Sequence, residues 1–213
     1  MIAHPDDEDN DLMFALASGN DTALNMVMRR WSARLISYLE RLSGSHATAC
    51  DLAQESFVRV YKHRHRFRSS QKFSTWLFAI ATNLARNHAR WQRRHPITLL
   101  EHEDLQHLDH ESAEGSPVSQ LEKDERARAV RQAILSLPAE QKETLILSMY
   151  EGMSHADIAD VMETTPKVVE MRLYRARKAL AEMLAAWMPK SLCPEAGSKE
   201  ACHAEGFSCQ LMA

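Results

Sequence analysis

The chain has 213 residues, of which 45% are hydrophobic and 7% aromatic, and its formal net charge is −3. No apolar run approaches the length of a membrane span, and the acidic segment at residues 6–9 is unlike a signal peptide. We therefore expect a cytoplasmic protein with no membrane association, built from one or two domains. Apolar residues recur at helical spacing through most of the sequence, which predicts an all-α fold.

The small net charge hides a strong separation of charge along the sequence. Residues 56–100 contain ten Lys or Arg residues and no Asp or Glu, whereas residues 101–125 contain nine acidic residues and a single Lys. Binding depends on the local field rather than on the overall sum. A nucleic-acid partner is therefore compatible with the acidic total.

The first part of the sequence predicts four helices. Residues 9–42 favour two helices with a turn at residues 18–21, and a third helix starts near His46. A loop at residues 67–73 precedes a fourth helix, which runs to about Arg94.

Aromatic residues are interspersed with the basic residues of this loop and fourth helix. Unpaired bases stack on such rings while arginines hold the phosphates, so Phe67, Phe73, Trp76 and Trp91 are candidate contacts to single-stranded nucleic acid. The alternative is that Phe73 and Trp76 are core residues that close the helix pair. The loop position favours a nucleic-acid contact for Phe67 and Phe73.

Residues 96–120 contain Pro96, Gly115 and Pro117 among polar residues and predict a mostly extended linker. The linker also holds three histidines among acidic residues. They are either metal ligands or, as is commoner in a polar linker, solvated side chains: His102, His107 and His110.

Residues 137–187 have the pattern of a helix-turn-helix. A helix begins at Pro138 and stops at Gly152, Ser154 caps a second helix, and Thr165 with Pro166 forms the cap and first turn of a third. One face of the third helix carries an apolar stripe of Val169, Leu173, Ala176, Leu180, Leu184 and Trp187. The opposite face carries Lys167, Met171, Tyr174, Arg175 and Lys178. The stripe is expected to pack on the two preceding helices and leave the basic face for DNA, the alternative being a solvated helix of an ordinary bundle.

Three of the four cysteines lie in the last 21 residues, together with a histidine. A cytosolic compartment disfavours structural disulfides, so clustered thiols indicate metal ligands or a redox sensor. The remaining interpretation is a tail without a function. Thiolates favour Cu, Zn or Cd over hard cations. The candidate ligands are Cys193, Cys202, His203 and Cys209.

Two segments resemble one protein family. Residues 51–57 (DLAQESF), 72–81 (KFSTWLFAIA) and 83–85 (NLA) are similar to region 2 of the extracytoplasmic-function (ECF) sigma factors of the sigma-70 family, and residues 137–178 are similar to their region 4. The resemblance implies two helical domains, no enzymatic activity and no cofactor for the core function. The implied organisation is region 2 at residues 1–95, a linker at 96–120, a helix-turn-helix region 4 at 121–188 and a Cys/His tail at 189–213.

The resemblance also implies partners and contacts. Such a protein binds core RNA polymerase and directs it to promoters. Polymerase binding would involve Asp51, Leu52, Gln54, Glu55 and Phe57. The melted −10 element, including a flipped base, would contact Arg68, Lys72, Phe73, Trp76 and Asn83. The −35 element would contact Lys167, Val168, Met171, Arg172 and Arg175.

Some positions depart from the family pattern. Lys167 and Glu170 stand where a small and a basic residue are more usual, and Cys50 stands where an acidic residue is usual. The cysteine tail is similar to that of the metal-responsive group typified by the copper-responsive CorE type, with Cys50 as a less favoured further ligand. This likeness implies regulation by a metal ion. An anti-sigma factor is a further candidate partner. The alternative to a metal-regulated sigma factor is a redox-regulated one.

Two other functional classes are alternatives to a sigma factor. A stand-alone helix-turn-helix regulator would explain residues 137–187 but leave the acid-free segment at 56–100 without a role. An enzyme is disfavoured because the sequence contains no HExxH, P-loop or nucleophile-elbow motif.

Overall fold

The computed structural model describes residues 5–68, 70–95 and 117–185. Within these ranges the chain consists of α-helices, one short 3-10 helix at Arg64–Arg66 and connecting loops, without a strand, which confirms the all-α prediction. None of the described helices combines the length and apolarity needed to cross a bilayer. The helices are α1 (Pro5–Ala17), α2 (Thr22–Ser43), α3 (His46–Lys62), α4 (Phe73–Arg94), α5 (Pro117–Ser136), α6 (Ala139–Met149), α7 (His155–Val161) and α8 (Pro166–Met183).

Helices α1–α4 form an N-terminal domain around a cluster of aromatic rings. Phe78 lies edge-on to Trp31 and Tyr38, with ring centroids 6.1 and 4.9 Å apart. The Tyr38 hydroxyl shares a hydrogen bond of 2.7 Å with Thr82, and burial raises the pKa of Tyr38 well above its ordinary value. The Trp31 indole Nε1 donates a hydrogen bond of 3.1 Å to the Asp9 carboxylate, so the cluster joins α2 to α4 with both of its polar groups satisfied.

Helices α5–α8 form a C-terminal domain in which local sequence signals set the helix starts. The Ser154 side chain accepts a hydrogen bond from the backbone N–H of Asp157, and that of Thr165 accepts one from Val168. Pro166 occupies the first turn of α8, where its missing N–H costs nothing. The predicted caps of α7 and α8 are confirmed.

The apolar stripe of α8 packs as predicted. Val169, Leu173 and Ala176 are buried against α6 and α7, and Leu180 and Leu184 are half-buried. Trp187 lies outside the described residues.

The start of α5 differs from the expectation of an extended linker over residues 96–120. The helix begins at Pro117, because proline is well suited to the first turn of a helix. Residues 96–116, including the three linker histidines, lie outside the described residues.

The two domains are in contact. Helix α4 packs against α7, and α2 packs against α5 and α6. The buried apolar residues of both domains form one continuous core cluster.

Candidate nucleic-acid interface

Helix α8 presents a basic face with two large apolar side chains on it. Lys167, Tyr174, Arg175 and Lys178 are exposed, and Met171 is 46% exposed. An exposed cationic helix face suits both phosphate contacts and contacts to base edges in the major groove. Of the predicted contact residues on this helix, Val168 is half-buried at the edge of the face.

Arg172 differs from the other predicted contacts of α8. Its side chain is only 18% exposed, and its Nη2 lies 2.6 Å from the Glu140 Oε2 of α6. In this conformation Arg172 therefore holds α8 against α6 through its ion pair with Glu140. To contact a base edge, the Arg172 side chain must leave Glu140 and bind the DNA instead.

The two unusual residues at the start of α8 pair with each other. The Lys167 Nζ lies 2.8 Å from the Glu170 Oε2, three positions further along the helix. Glu170 thus neutralises a neighbouring cation on the face that would meet DNA. This pairing explains how an acidic residue is accommodated on a basic surface.

The second basic surface surrounds the start of α4 in the N-terminal domain. Arg68 and Asn83 are exposed, and Trp76 is half-buried, with its ring centroid 5.3 Å from that of Phe67. Trp76 and Asn83 lie seven positions apart and therefore share one face of the helix. They can form a continuous surface for an unpaired base.

Phe73 is not part of that accessible surface. It is the first residue of α4 and is 0% exposed, packed against Trp31 and Phe67 with centroids 5.8 and 6.1 Å away. The burial favours the core role that was the alternative at the sequence level. Phe73 supports the rings of the surface rather than contributing an accessible ring itself.

Lys72, which directly precedes α4, links the N-terminal domain to α7 of the C-terminal domain. Its Nζ donates a hydrogen bond of 2.9 Å to the Asp157 Oδ2 in α7. Burial alone would raise the pKa of Asp157, but hydrogen bonds from Ser154 and Lys72 outweigh it and lower the pKa below its ordinary value. The carboxylate is therefore a stable partner for Lys72 at neutral pH.

The far end of α4 adds further positive charge. Arg90, Arg93 and Arg94 are exposed, and the exposed Trp91 ring stacks on the His95 ring at a centroid distance of 5.1 Å. A stacked ring pair beside arginines resembles the composition of a backbone-tracking nucleic-acid surface.

Helix α3 carries the residues expected to bind polymerase, and the structure divides them into two groups. Asp51 and Gln54 are exposed, and the half-buried Glu55 pairs with Arg59 at 2.9 Å. The other two predicted residues are buried, so they hold α3 in the domain rather than offering side chains to a partner: Leu52 and Phe57.

Val58 was missed by the sequence interpretation. It is 43% exposed and lies on the same helix face as Asp51, Gln54 and Glu55, at helical spacing. The periodicity of α3 was the signal that could have identified it. An exposed valine next to acidic and amide groups supplies the apolar centre that a protein contact with a polar rim requires.

No group of three or more His, Cys, Asp and Glu side chains in the described ranges is arranged to hold a metal ion. Cys50 is half-buried, with its Sγ 3.5 Å from the His46 Nε2, and the His46 Nδ1 lies 3.0 Å from the Glu40 Oε2. The predicted tail ligands all fall outside the described residues: Cys193, Cys202, His203 and Cys209.

Comparison with known proteins gives the same domain pattern. Residues 27–95 match sigma-70 region 2, and residues 127–180 match sigma-70 region 4. The RNA polymerase sigma-H factor of Pseudomonas aeruginosa is 32% identical over 183 residues, covering 84% of this chain and 94% of that protein. The ECF RNA polymerase sigma-E factor of Haemophilus influenzae is 31% identical over 176 residues, covering 81% and 93%.

A solved structure shows the same arrangement of helices. The structure of CnrH in complex with the cytosolic domain of CnrY has a TM-score of 0.63 and 25% sequence identity, covering 84% of this chain and 97% of that chain. The helical pair of domains with these matches is that of a sigma-70 class transcription initiation factor. The chain belongs to the ECF sigma factors, which bind core RNA polymerase and promoter DNA, need no cofactor for that function and are not enzymes.

Arg172 and Arg175 allow a test of the α8 interface, because they lie on one helix but in different environments. Arg175→Ala is expected to weaken binding of the holoenzyme to the −35 element by about 1–3 kcal/mol if the side chain contacts a base edge. Competition between promoter variants measures this effect base pair by base pair. An equal loss on every variant would assign Arg175 to the phosphate backbone instead. Arg172→Ala is expected to cost stability of the C-terminal domain as well, because it also removes the contact with Glu140.

Proposed function

We propose that the N-terminal domain binds the −10 element and core polymerase, and that the C-terminal domain binds the −35 element. The observation that carries this proposal is the presence of two exposed basic surfaces, one on each domain, with aromatic side chains on the surface of the first. The boundaries proposed for these domains are residues 1–95 and 121–188, followed by a tail at 189–213. The polymerase-facing surface is assigned to the exposed side of α3: Asp51, Gln54, Glu55 and Val58.

Asn83 provides the experiment for the −10 surface. An exposed amide beside Trp76 can donate and accept hydrogen bonds to a base that has left the stack. Asn83→Ala is expected to reduce promoter opening while leaving the affinity for core polymerase unchanged. Permanganate reactivity of the −10 thymines measures opening, and co-purification with core enzyme measures binding.

Arg29→Ala is a suitable control for Asn83→Ala, because Arg29 is exposed on α2 and is not among the residues assigned to the −10 or polymerase surfaces. It should open the promoter like the wild type. Unchanged permanganate reactivity in Asn83→Ala would remove Asn83 from the −10 site.

We assign the cysteine tail to metal sensing, on the strength of its composition. Three thiols and a histidine within 17 residues form a ligand set suited to Cu, Zn or Cd. Because thiols lose protons when they bind a metal, binding and ordering of such a segment are expected to be one event. The proposed ligands are Cys193, Cys202, Cys209 and His203.

Replacing any one of the three tail cysteines by Ser is expected to alter metal-dependent transcription without unfolding either helical domain. Run-off transcription with purified core enzyme, with and without Cu, Zn or Cd under reducing conditions, measures the response. Circular dichroism checks the fold. Identical wild-type activity in every metal condition would exclude metal sensing. A response to oxidant that is reversed by reductant, with no metal added, would assign the thiols to redox sensing.

A protein partner that inhibits the factor is a further part of the proposal. CnrH was solved in complex with the cytosolic domain of CnrY, and its chain covers 84% of the chain described here. We therefore assign an anti-sigma factor as a candidate partner. Co-purification from the native host identifies it.

A further inference from the structure

A carboxylate, an imidazole and a thiol meet where the chain turns from α2 into α3. Gly44 ends α2 with a φ of 75°, in the left-handed region that suits glycine, and Ser45 caps α3. This two-residue turn places Glu40, in the last turn of α2, beside His46, the first residue of α3. Cys50 lies four positions further along α3, so its side chain shares a helix face with that of His46.

The two ring nitrogens of His46 have different partners. The Nδ1 lies 3.0 Å from the Glu40 Oε2, and the Nε2 lies 3.5 Å from the Cys50 Sγ, a hydrogen-bonding distance for sulfur. Because a carboxylate only accepts hydrogen bonds, the His46 Nδ1 carries a hydrogen and donates to Glu40. The Nε2 of the neutral ring is then an acceptor, and the thiol of Cys50 donates to it.

Burial fixes the carboxylate and leaves the other two groups accessible. The Glu40 side chain is 8% exposed, whereas that of His46 is 52% exposed and Cys50 is half-buried. A buried carboxylate needs a partner, and His46 is such a partner. The ring is therefore held in one orientation by Glu40, while the hydrogen bond from its other nitrogen to the sulfur lies in an exposed position.

The geometry of this cluster suits proton transfer better than metal binding. The sulfur and the carboxylate contact opposite nitrogens of the ring, so the three groups do not converge on one point. Within the described ranges, no cluster of His, Cys, Asp and Glu is arranged as a metal site. A thiol that is hydrogen-bonded to an imidazole, which a carboxylate in turn orients, is the arrangement that activates a sulfur nucleophile.

We propose that Cys50 is a reactive thiol that forms a mixed disulfide with a low-molecular-weight disulfide, and that this modification regulates binding to core polymerase. His46 takes the thiol proton, and the Cys50 thiolate attacks one sulfur of the small disulfide. A bond forms between that sulfur and the Cys50 Sγ, and the original S–S bond breaks. The departing sulfur leaves as a thiolate with the bonding electron pair and receives the proton held by His46. Excess thiol reverses the exchange.

The second sulfur of the product comes from outside the described part of the chain. Among the described residues Cys50 is the only cysteine, so no other thiol there is available to form a disulfide with it. An exposed thiol of this kind is open to a small disulfide from solution. The alternative product, a disulfide between Cys50 and a tail cysteine, has a different mass and is distinguished by peptide mapping.

The position of Cys50 gives the modification its consequence, which rests on the polymerase surface proposed above. Cys50 directly precedes Asp51 and lies one helical turn before Gln54, and both of these residues are exposed on that surface. A glutathionyl group on the Cys50 sulfur adds bulk beside their side chains. The adduct is therefore expected to weaken binding to core polymerase.

The first test measures how fast Cys50 reacts with glutathione disulfide in the full-length protein. The tryptic peptide of residues 42–59 contains no other cysteine, so mass spectrometry follows Cys50 alone. His46→Gln should slow the reaction about tenfold, because an unassisted thiol is only a few per cent thiolate at neutral pH. Glu40→Gln should slow it about threefold, since the ring keeps a hydrogen-bond partner but loses the negative charge that stabilises its protonated form.

His155→Gln is the matched control, because His155 is exposed and is also the first residue of a helix that a serine caps. It should react at the wild-type rate, and circular dichroism should show the same helix content in every variant. In guanidinium chloride all four proteins should react equally, since unfolding separates the three groups. Equal rates in folded His46→Gln and wild type would overturn the proposal. So would a disulfide from Cys50 to a tail cysteine in place of the mixed disulfide.

The second test measures the affinity of the treated protein for core polymerase. Wild type with glutathione on Cys50 should bind core enzyme about tenfold more weakly than untreated protein, because loss of one or two interface contacts has an effect of this size. Dithiothreitol should restore the affinity. Cys50→Ser should bind equally well with and without the treatment, which controls for modification of the tail cysteines.

Wild type that carries glutathione on Cys50 and binds core enzyme as before would overturn the regulatory role. Failure of the untreated protein to bind core enzyme would instead refute the polymerase surface on α3. The two failures are distinguishable, because the rate measurement contains no polymerase and decides the reactivity of Cys50 by itself.

Discussion

Replacing Phe78 with alanine is expected to destabilise the N-terminal domain by about 3–5 kcal/mol. Phe78 is completely buried and contacts the rings of both Trp31 and Tyr38, so truncation removes two edge-to-face contacts and leaves a cavity between α2 and α4. A loss of this size is a large fraction of the stability of a typical domain. Polymerase and −10 binding should therefore fail together.

Urea unfolding followed by near-ultraviolet circular dichroism measures this loss, because packed aromatic rings such as those of the cluster contribute to the signal. Phe14→Ala is the matched control, since it removes the same side chain from a position that is 46% exposed in α1. Its cost should be within about 1 kcal/mol. Equal costs for Phe14→Ala and Phe78→Ala would contradict the assignment of the core.

Leu173 and Tyr174 separate the two roles of the recognition helix. Leu173 is buried against the preceding helices, and Leu173→Ala is expected to cost about 2–5 kcal/mol of stability in the C-terminal domain. Tyr174, its neighbour, is 61% exposed on the basic face. Tyr174→Ala should leave stability almost unchanged and weaken binding to duplex DNA.

Thermal unfolding and binding of the holoenzyme to −35 duplexes, measured on both variants, distinguish these effects. Leu173→Ala should lose both stability and DNA binding, because α8 is then no longer packed tightly against α6 and α7. A Tyr174→Ala variant that is as destabilised as Leu173→Ala, or that binds DNA normally, would contradict the proposed orientation of α8.

Much of the C-terminal domain could be predicted because its signals are local. Ser154 and Thr165 satisfy backbone N–H groups three residues away, and Pro166 suits a first turn. The stripe of Val169 and Leu173 follows the helical period and needs no knowledge of the partner helices. Such features are contained in a few consecutive residues.

The burial of Phe73 could not be predicted in the same way. Its position at the end of a loop suggests exposure, but Trp31 from α2 and Phe67 cover it. Burial of this kind depends on how helices pack, which the local sequence does not specify. Leu52 differs, because the helical spacing of the apolar residues of α3 already indicates that it lies on the buried side of that helix.

Ion pairs between residues that are distant in the sequence could not be predicted either. Arg34 and Glu151 are 117 residues apart, and Arg86 and Glu143 are 57 apart. Charged residues at a helix surface are usually solvated, so nothing in the sequence distinguishes those that meet across a domain junction. The partner of Arg172 was missed for the same reason, since Glu140 lies on another helix.

The central claim, that this chain directs core RNA polymerase to promoters, is tested most directly by promoter binding and run-off transcription with purified components. Alone, the protein should not give a promoter-specific shift in a native gel. Together with core enzyme it should shift promoter DNA and produce a transcript of defined length, and core enzyme without it should do neither. A specific shift of promoter DNA by the protein alone, with no transcript on addition of core enzyme, would contradict the account and identify a stand-alone helix-turn-helix regulator.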